Sequence, residues 1–208
     1  MRLIVFIGPP GVGKGTQARL IQERLKIPCL ATGALMRAAK SSGSAAGQKI
    51  AGYIDQGKLV PDDVIIAYVL EELERPLYRD NCLLDGFPRT VEQAEALQAL
   101  GAERGYPLPL VIEMKAEPSE LVRRIAERSK VEGRADDAPQ TVAKRLTVYA
   151  RQTAPVVDFY QRHGGVHTID GLEEREEVFR QVRELIQRHF DGVEDVGMPI
   201  DPAEEPRK

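Results

Sequence analysis

The stretch that decides the fold is Gly8-Pro9-Pro10-Gly11-Val12-Gly13-Lys14-Gly15-Thr16. Five apolar residues, 3–7, precede it and predict a strand buried on both faces of a sheet. After it, Ala18, Ile21 and Leu25 recur at helical spacing. A strand, a glycine-rich turn and a helix in this order predict a phosphate-binding loop. The glycines let backbone N–H groups converge on an anion, and the helix N-terminus adds a partial positive charge.

Two side chains of this loop carry its chemistry. Lys14 supplies a positive charge for the β- and γ-phosphates, and Thr16 supplies a hydroxyl near the metal. The alternative is a glycine turn that merely joins a strand to a helix. Lys14 directly after Gly13, with a strand before and a helix behind, favours the phosphate site. Gly15 stands where the general motif has Ser or Thr.

Composition narrows the class of protein. The chain has 208 residues, of which 42% are hydrophobic and 29% charged, as is ordinary for a soluble globular protein. Its longest apolar runs fall far short of the roughly 20 residues of a membrane span, and the N-terminus enters a strand without a signal peptide. Cys29 and Cys82 lie in apolar surroundings, so we expect free core thiols in a reducing cytoplasm. With a net charge of −3, the sequence predicts no nucleic-acid partner.

The rest of the chain alternates strands with helices. Further strands are predicted at 28–31, 81–85, 110–114 and 166–169. Helices are predicted at 62–75, 90–100, 118–128, 140–163 and 172–190, with two short ones between 32 and 61 and a polar loop over 129–139. Strands separated by helices indicate a parallel α/β sheet, whose ligands lie beyond the carboxyl ends of the strands. The segments that follow strands directly should therefore meet at one edge.

Arginines are numerous beside these segments. Single arginines are usually solvated surface charges, but several near strand ends suggest polyphosphate substrates. Arg124 and Arg128 are four residues apart and share a helix face, whereas Arg123 should point elsewhere. The others of interest are Arg37, Arg89, Arg134 and Arg145.

Two positions after the third strand allow alternative interpretations. Asp85 can cap local N–H groups or orient Mg²⁺ and its waters, and the phosphate loop favours the second. Thr90 followed by Gln93 forms a capping box, a structural device that needs no ligand, and the pattern alone favours it.

Taken together, these segments resemble the adenylate kinases, a family of nucleoside monophosphate kinases, from residue 1 to about 190. The short polar loop after Arg128 is similar to that of the short-lid type. The segments that carry the resemblance are Gly8–Thr16, Ala31-Thr32-Gly33 with Arg37, Gly57–Asp62, Leu84–Thr90 with Gln93, Gly133–Asp137, Lys144-Arg145-Leu146, Thr153-Ala154-Pro155 and Ile169-Asp170-Gly171. One departure is Ala34, where many members have Asp.

The resemblance implies a P-loop fold with a five-stranded parallel sheet flanked by helices. It divides residues 1–190 into a core, an AMP-binding insertion at 31–60 and a short lid at 129–137. The core then comprises 1–30, 61–128 and 138–190. The acidic, proline-containing tail at 191–208 is expected to be loosely ordered.

The activity implied is reversible phosphoryl transfer from Mg-ATP to AMP, giving two ADP, by a cytoplasmic monomer without membrane or nucleic-acid partners. The catalytic residues would be Lys14, Arg89, Arg124, Arg134 and Arg145. Those binding ATP would be Gly11, Val12, Gly13, Lys14, Gly15, Thr16, Arg124, Arg128 and Gly171. Those binding AMP would be Thr32, Gly33, Arg37, Lys58, Val60, Gly86, Arg89, Gln93, Arg134 and Arg145. Mg²⁺ would come with ATP and its waters, oriented by Asp85 and Thr16.

Two other functions share parts of this pattern. A UMP/CMP kinase has the same loop and arginines, but that group tends to lack the threonine of Thr32-Gly33 and the Arg-Thr-x-x-Gln continuation at 89–93. A protein that senses nucleotide without turnover would be expected to lose Lys14 or the lid arginines, which this sequence keeps.

Overall fold

A parallel sheet of five strands lies at the centre of the computed structural model, which describes residues 1–41, 45–133 and 135–190. The strands are β1 (Arg2–Ile7), β2 (Cys29–Ala31), β3 (Asn81–Asp85), β4 (Leu110–Lys115) and β5 (His167–Asp170). They are ordered β2-β3-β1-β4-β5, and every pairing is parallel. The predicted sheet is confirmed, and β1 is its middle strand.

Strand β1 is buried on both faces, as its apolar run predicts. Leu3, Val5 and Ile7 pack into one hydrophobic cluster, and Ile4 and Phe6 into the other. Each of these side chains is at most 2% exposed. Because successive side chains of β1 point to opposite faces of the sheet, this one strand contributes to both hydrophobic clusters.

Helices cover both faces of the sheet. They are α1 (Lys14–Arg24), α2 (Thr32–Ser41), α3 (Ala45–Ile54), α4 (Asp62–Leu73), α5 (Val91–Arg104), α6 (Pro118–Glu132), α7 (Pro139–Val148), α8 (Ala154–His163) and α9 (Arg175–His189). Apolar residues of α4, α5 and α8 join the cluster of Leu3, while those of α1, α6 and α9 join the cluster of Ile4. This is a doubly covered α/β arrangement.

The predicted single helix over 140–163 is interrupted. A π-helical stretch, Tyr149–Thr153, separates α7 from α8. Pro155 explains the interruption, because it has no N–H to donate four residues back and its ring crowds the preceding turn. Thr153 of this stretch lines the cleft described below.

The predicted loop over 129–139 is also shorter than expected. Helix α6 continues through Glu132 and ends where Gly133 adopts a left-handed conformation, with φ of 60°. No helix-breaking residue occurs between Arg128 and Gly133, so the helix simply runs on. Residues 129–132 of the expected lid are therefore helical, and Ala135–Asp137 form a 3-10 turn.

Other expectations have mixed outcomes. Cys29 and Cys82 are free thiols, as predicted. Helix α5 runs past the predicted end at residue 100 to Gly105, a left-handed cap. The break over 42–44 and the tail 191–208 lie outside the described residues. In the part of the chain that the structure describes, no helix is long and apolar enough to cross a membrane.

Candidate active site

A deep cleft opens at the carboxyl ends of β1, β2 and β3. The space between its walls measures about 1080 Å³, including space open to solvent. Among the residues lining it are ten that the sequence analysis singled out: Lys14, Thr32, Gly33, Arg37, Lys58, Val60, Gly86, Arg89, Gln93 and Arg145. The predicted acceptor set thus meets in one place, except for Arg134, which lies outside the described residues.

The phosphate loop packs tightly against the protein behind it. Gly11 has φ of +88°, and a Cβ added there would lie 2.7 Å from Ile125 Cγ1 and 3.0 Å from the Leu121 carbonyl oxygen. Only glycine fits both the backbone conformation and the space. The loop is therefore held against α6, and the first turn of α1 begins directly behind it at Lys14.

Lys14 lies over its own loop. Its ammonium donates to the carbonyl oxygens of Gly8, at 2.6 Å, and Pro9, at 3.0 Å. Burial lowers the pKa of Lys14 from 10.5 to about 8, and the positive charge of Arg89 adds to this while the charge of Asp85 opposes it. The negative charge of a phosphate in the cleft would favour the protonated, positively charged form of Lys14. The lysine is therefore suited to bind an anion.

The turn after β3 brings three predicted residues into contact. Arg89 Nε donates to the Gly86 carbonyl oxygen at 2.7 Å, and Thr32 Oγ1 donates to the same oxygen at 2.8 Å. Gly86 has φ of +85°, and a Cβ there would lie 2.7 Å from Arg89 Nη2. Burial lowers the pKa of Arg89, and the charges of Arg145 and Arg37 act in the same direction. A cluster of cations at this edge favours an anionic ligand.

Helix α5 begins with the predicted capping box. Thr90 Oγ1 accepts from the Gln93 backbone N–H at 3.2 Å, and Gln93 Oε1 accepts from the Arg89 N–H at 2.7 Å. The reciprocal arm reaches Arg89 rather than Thr90, one residue earlier than the usual pattern. Gln93 Nε2 also donates to Asp62 Oδ1 at 2.6 Å. The side chain caps the helix and still lines the cleft.

Two lid-side arginines share one carboxylate. Arg128 donates through Nε and Nη2 to Asp137, at 2.8 and 2.5 Å, and Arg145 Nη1 donates to Asp137 Oδ1 at 2.9 Å. Burial raises the pKa of Asp137, but the hydrogen bonds and charges of Arg128 and Arg145 outweigh it and hold the pKa below its usual value. The sequence alone indicates no role for Asp136 or Asp137. Their position between predicted phosphate-binding arginines was the available signal.

The opposite side of the phosphate loop gathers the remaining candidates. Arg124 Nη1 donates to the Gly171 carbonyl oxygen at 2.6 Å, and its Nε donates to Glu120 at 3.0 Å. A Cβ on Gly171 would lie 2.8 Å from the Val12 carbonyl oxygen, so these residues adjoin the loop. Arg123 is exposed and donates to the same Glu120 oxygen as Arg124, so the two arginines meet at one carboxylate, whereas the sequence predicted that Arg123 would point elsewhere. Glu120 was not anticipated.

The residues expected near Mg²⁺ lie at the loop as well. A Cβ on Gly15 would be 3.7 Å from Asp85 Oδ2, and Thr16 is exposed on the first turn of α1. Among the described residues, no group of three or more His, Cys, Asp or Glu side chains could hold a metal. One carboxylate and one hydroxyl beside a phosphate site fit Mg²⁺, which usually keeps waters and binds substrate phosphates.

The order of the strands places candidate residues on both sides of the phosphate loop. The loop follows β1, which lies between β3 and β4. The Arg89 cluster follows β2 and β3, and the Arg124 and Gly171 pair follows β4 and β5. A phosphate loop with a cluster of arginines on one side and Arg124 on the other defines the class of P-loop nucleotide kinases.

Comparison with known proteins specifies the family. The sequence pattern of the family "Adenylate kinase" matches residues 6–165. The chain is 43% identical to an adenylate kinase of Thermobifida fusca over 175 residues, which cover 84% of this chain and 93% of that protein. It is 42% identical to one of Stenotrophomonas maltophilia over 187 residues, which cover 90% and 100% respectively. The chain belongs to the adenylate kinase family, and the predicted family and class of enzyme are confirmed.

Proposed function

We propose that this protein transfers the γ-phosphoryl group of ATP to AMP reversibly, giving two ADP. The observation that carries the proposal is the position of Lys14 between an arginine cluster on one side and Arg124 on the other. Family membership supports it, since the relatives in the comparison are named adenylate kinases. The division into a core, an acceptor-binding insertion at 31–60 and a lid at 129–137 belongs to the same proposal.

AMP would occupy the cleft between α2 and the turn after β3. Arg37 and Arg89 hold its phosphate, because a planar guanidinium can donate two hydrogen bonds to phosphate oxygens. Gln93 faces its base, since the side chain is buried and lines the cleft. The other residues assigned to AMP are Thr32, Gly33, Lys58, Val60, Gly86, Arg145 and, outside the described residues, Arg134.

ATP would bind across the phosphate loop on the α6 side. The backbone N–H groups of 11–16 surround its phosphates, with Arg124 beside them. Arg124 already contacts Gly171, so both can adjoin the same nucleotide. Arg128 is assigned to the lid side of ATP and would exchange part of its contact with Asp137 for phosphate oxygens.

The reaction needs no general base. The attacking atom is a phosphate oxygen of AMP, which is largely ionised near neutral pH because the second pKa of a phosphate monoester is about 6. Lys14 and the arginines align the two substrates and stabilise the charge on the transferring group. Mg²⁺, when bound with ATP, would neutralise further phosphate charge. Asp85 and Thr16 would orient its waters.

Location and assembly complete the proposal. Burial raises the pKa of the Cys29 thiol to about 12, and the pKa of Cys82 is raised as well, mainly by burial. Free thiols of raised pKa, one partly buried and one buried, suit a reducing cytoplasm. We propose a cytoplasmic monomer whose partners are ATP, AMP and ADP.

The reverse reaction gives a simple test with one nucleotide. Purified protein incubated with ADP and Mg²⁺ should produce ATP and AMP in equal amounts, measured by ion-exchange chromatography. EDTA should abolish the reaction but leave the melting temperature unchanged, because folding does not depend on Mg²⁺. AMP together with inorganic phosphate instead of ATP would indicate hydrolysis and contradict the proposal. Zinc that is lost together with stability on chelation would contradict the short-lid interpretation.

A further inference from the structure

The carboxylate of Asp62 is directed at the neighbouring helix rather than its own. Its Oδ1 accepts from Gln93 Nε2 at 2.6 Å, and its Oδ2 accepts from Thr90 Oγ1 at 3.0 Å. Asp62 is the first residue of α4, and the adjacent Asp63 is exposed. Asp62 therefore links the start of α4 to the start of α5 by hydrogen bonds, whereas Asp63 faces solvent.

The two partners of Gln93 determine which way round its amide lies. Gln93 Oε1 accepts from the Arg89 N–H at 2.7 Å. A backbone N–H can only donate and a carboxylate can only accept, so the amide oxygen must face Arg89 and the nitrogen must face Asp62. If the amide were turned over, its NH₂ group would face the Arg89 N–H, which is also a donor. Its oxygen would face the Asp62 carboxylate, which is also an acceptor. Gln93 is 2% exposed, so little water is available to compensate.

This fixed amide keeps one hydrogen-bonding position free on each atom. The oxygen has a second lone pair and the nitrogen a second hydrogen, and the side chain lines the cleft. Adenine presents an amine donor at position 6 beside a ring-nitrogen acceptor, which matches an amide oxygen beside an amide nitrogen. A 6-oxopurine presents an oxygen at position 6, which would face the amide oxygen.

We propose that Asp62 is a positioning residue, which fixes the amide of Gln93 and thereby excludes 6-oxopurine nucleoside monophosphates from the acceptor side. The inference rests on the proposed function, in which Gln93 faces the acceptor base. This discrimination between adenine and 6-oxopurines is separate from the discrimination between purines and pyrimidines. At the edge formed by position 6 and N1, where a 6-oxopurine has an oxygen beside an N–H donor, a free amide could turn over and pair with either purine, whereas one held by a carboxylate cannot.

The test compares Asp62→Ser with the matched variant Asp63→Ser. Both remove one acid from the first turn of α4, but only Asp62 contacts Gln93. Serine is tolerated at a helix start and is too short to replace the carboxylate at Gln93. The quantity to measure in each variant is kcat/KM for AMP and for inosine monophosphate as acceptors. Inosine monophosphate differs from AMP only at position 6 and its neighbouring ring nitrogen.

The ratio of kcat/KM for AMP to that for inosine monophosphate should fall about tenfold in Asp62→Ser, because a charge-assisted hydrogen bond is lost. The Arg89 contact remains, so the preference should weaken rather than vanish. The change should appear chiefly in the two KM values. Asp63→Ser should keep the wild-type ratio.

Other outcomes would contradict the inference. An unchanged ratio in a folded Asp62→Ser protein would overturn it. So would an equal loss of kcat with both acceptors, which would show a merely structural role. If Asp62→Ser fails to fold, Asp62→Asn replaces it and should lower the ratio about threefold, since a neutral oxygen accepts more weakly. Wild type that does not phosphorylate AMP at all would instead contradict the proposed function.

Discussion

Replacing Lys14 by methionine should lower kcat by a factor on the order of 10² or more. The ammonium lies at the phosphate loop, where it donates to the carbonyl oxygens of Gly8 and Pro9. Charge on the transferring phosphoryl group is best stabilised by a donor that is already in place. Methionine matches the four-atom apolar stem of lysine but lacks the ammonium group. The loss should therefore fall on kcat more than on the KM for ATP.

The matched control is Lys26→Met. Lys26 is exposed beyond the end of α1, so its replacement makes the same chemical change away from the cleft. It should leave kcat close to the wild-type value. Circular dichroism should show that both variants are folded. A folded Lys14→Met protein with near-normal kcat would remove Lys14 from the mechanism.

AMP should be preferred over UMP and CMP by a wide margin, up to roughly 10⁴ in kcat/KM. Gln93 can accept from the adenine amine while donating to a ring nitrogen, and uracil offers no such pair. Cytosine has an amine beside a ring nitrogen, but its single ring does not carry them as far from the ribose as adenine does. Groups buried against the wrong base would remain unpaired. Gln93→Leu should raise the KM for AMP more than it lowers kcat. Steady-state assays with the three monophosphates as acceptors measure both effects.

The capping role of Gln93 calls for a separate readout. Because its amide also bonds to Arg89 and Asp62, Gln93→Leu should lower the melting temperature as well. The control Gln98→Leu alters the same helix outside the cleft lining and should leave the KM for AMP unchanged. If Gln93→Leu lowers the melting temperature without raising that KM, its role is the cap alone. If wild type uses UMP as well as AMP, the adenylate assignment fails.

The features that could be predicted from sequence are those that depend on neighbouring residues. The run over 3–7, the glycine spacing and Lys14 are local, and they led to the strand, the loop and the order of elements. Every strand boundary agrees with its prediction to within one residue, because apolar runs and turn residues mark the ends of the strands. The cleft followed from the rule that ligands lie beyond the carboxyl ends of parallel strands.

What could not be predicted depends on contacts between distant residues. Asp62 and Gln93 are 31 positions apart, and no local pattern shows that a carboxylate on one helix fixes an amide on another. Asp137 holds arginines from two different helices, which its own sequence neighbourhood does not reveal. The π-helical stretch before Pro155 could have been predicted, because a proline inside a helix is a local signal. The regular helical spacing of apolar residues on both sides of it led to the prediction of one unbroken helix. The helical residues 129–132 show how a polar segment without a breaker extends a helix.

In the proposed mechanism, the arginine cluster on one side of Lys14 and Arg124 on the other act on one phosphoryl group. The most direct measurement follows the label of ATP carrying ³²P at its γ-phosphate, incubated with AMP, Mg²⁺ and the protein. The label should move to the β-phosphate of ADP, with two ADP formed for each ATP consumed and little inorganic phosphate released. Label in inorganic phosphate would mean hydrolysis. Label that stays in ATP, although both nucleotides bind, would mean sensing without turnover, and either result would contradict the account.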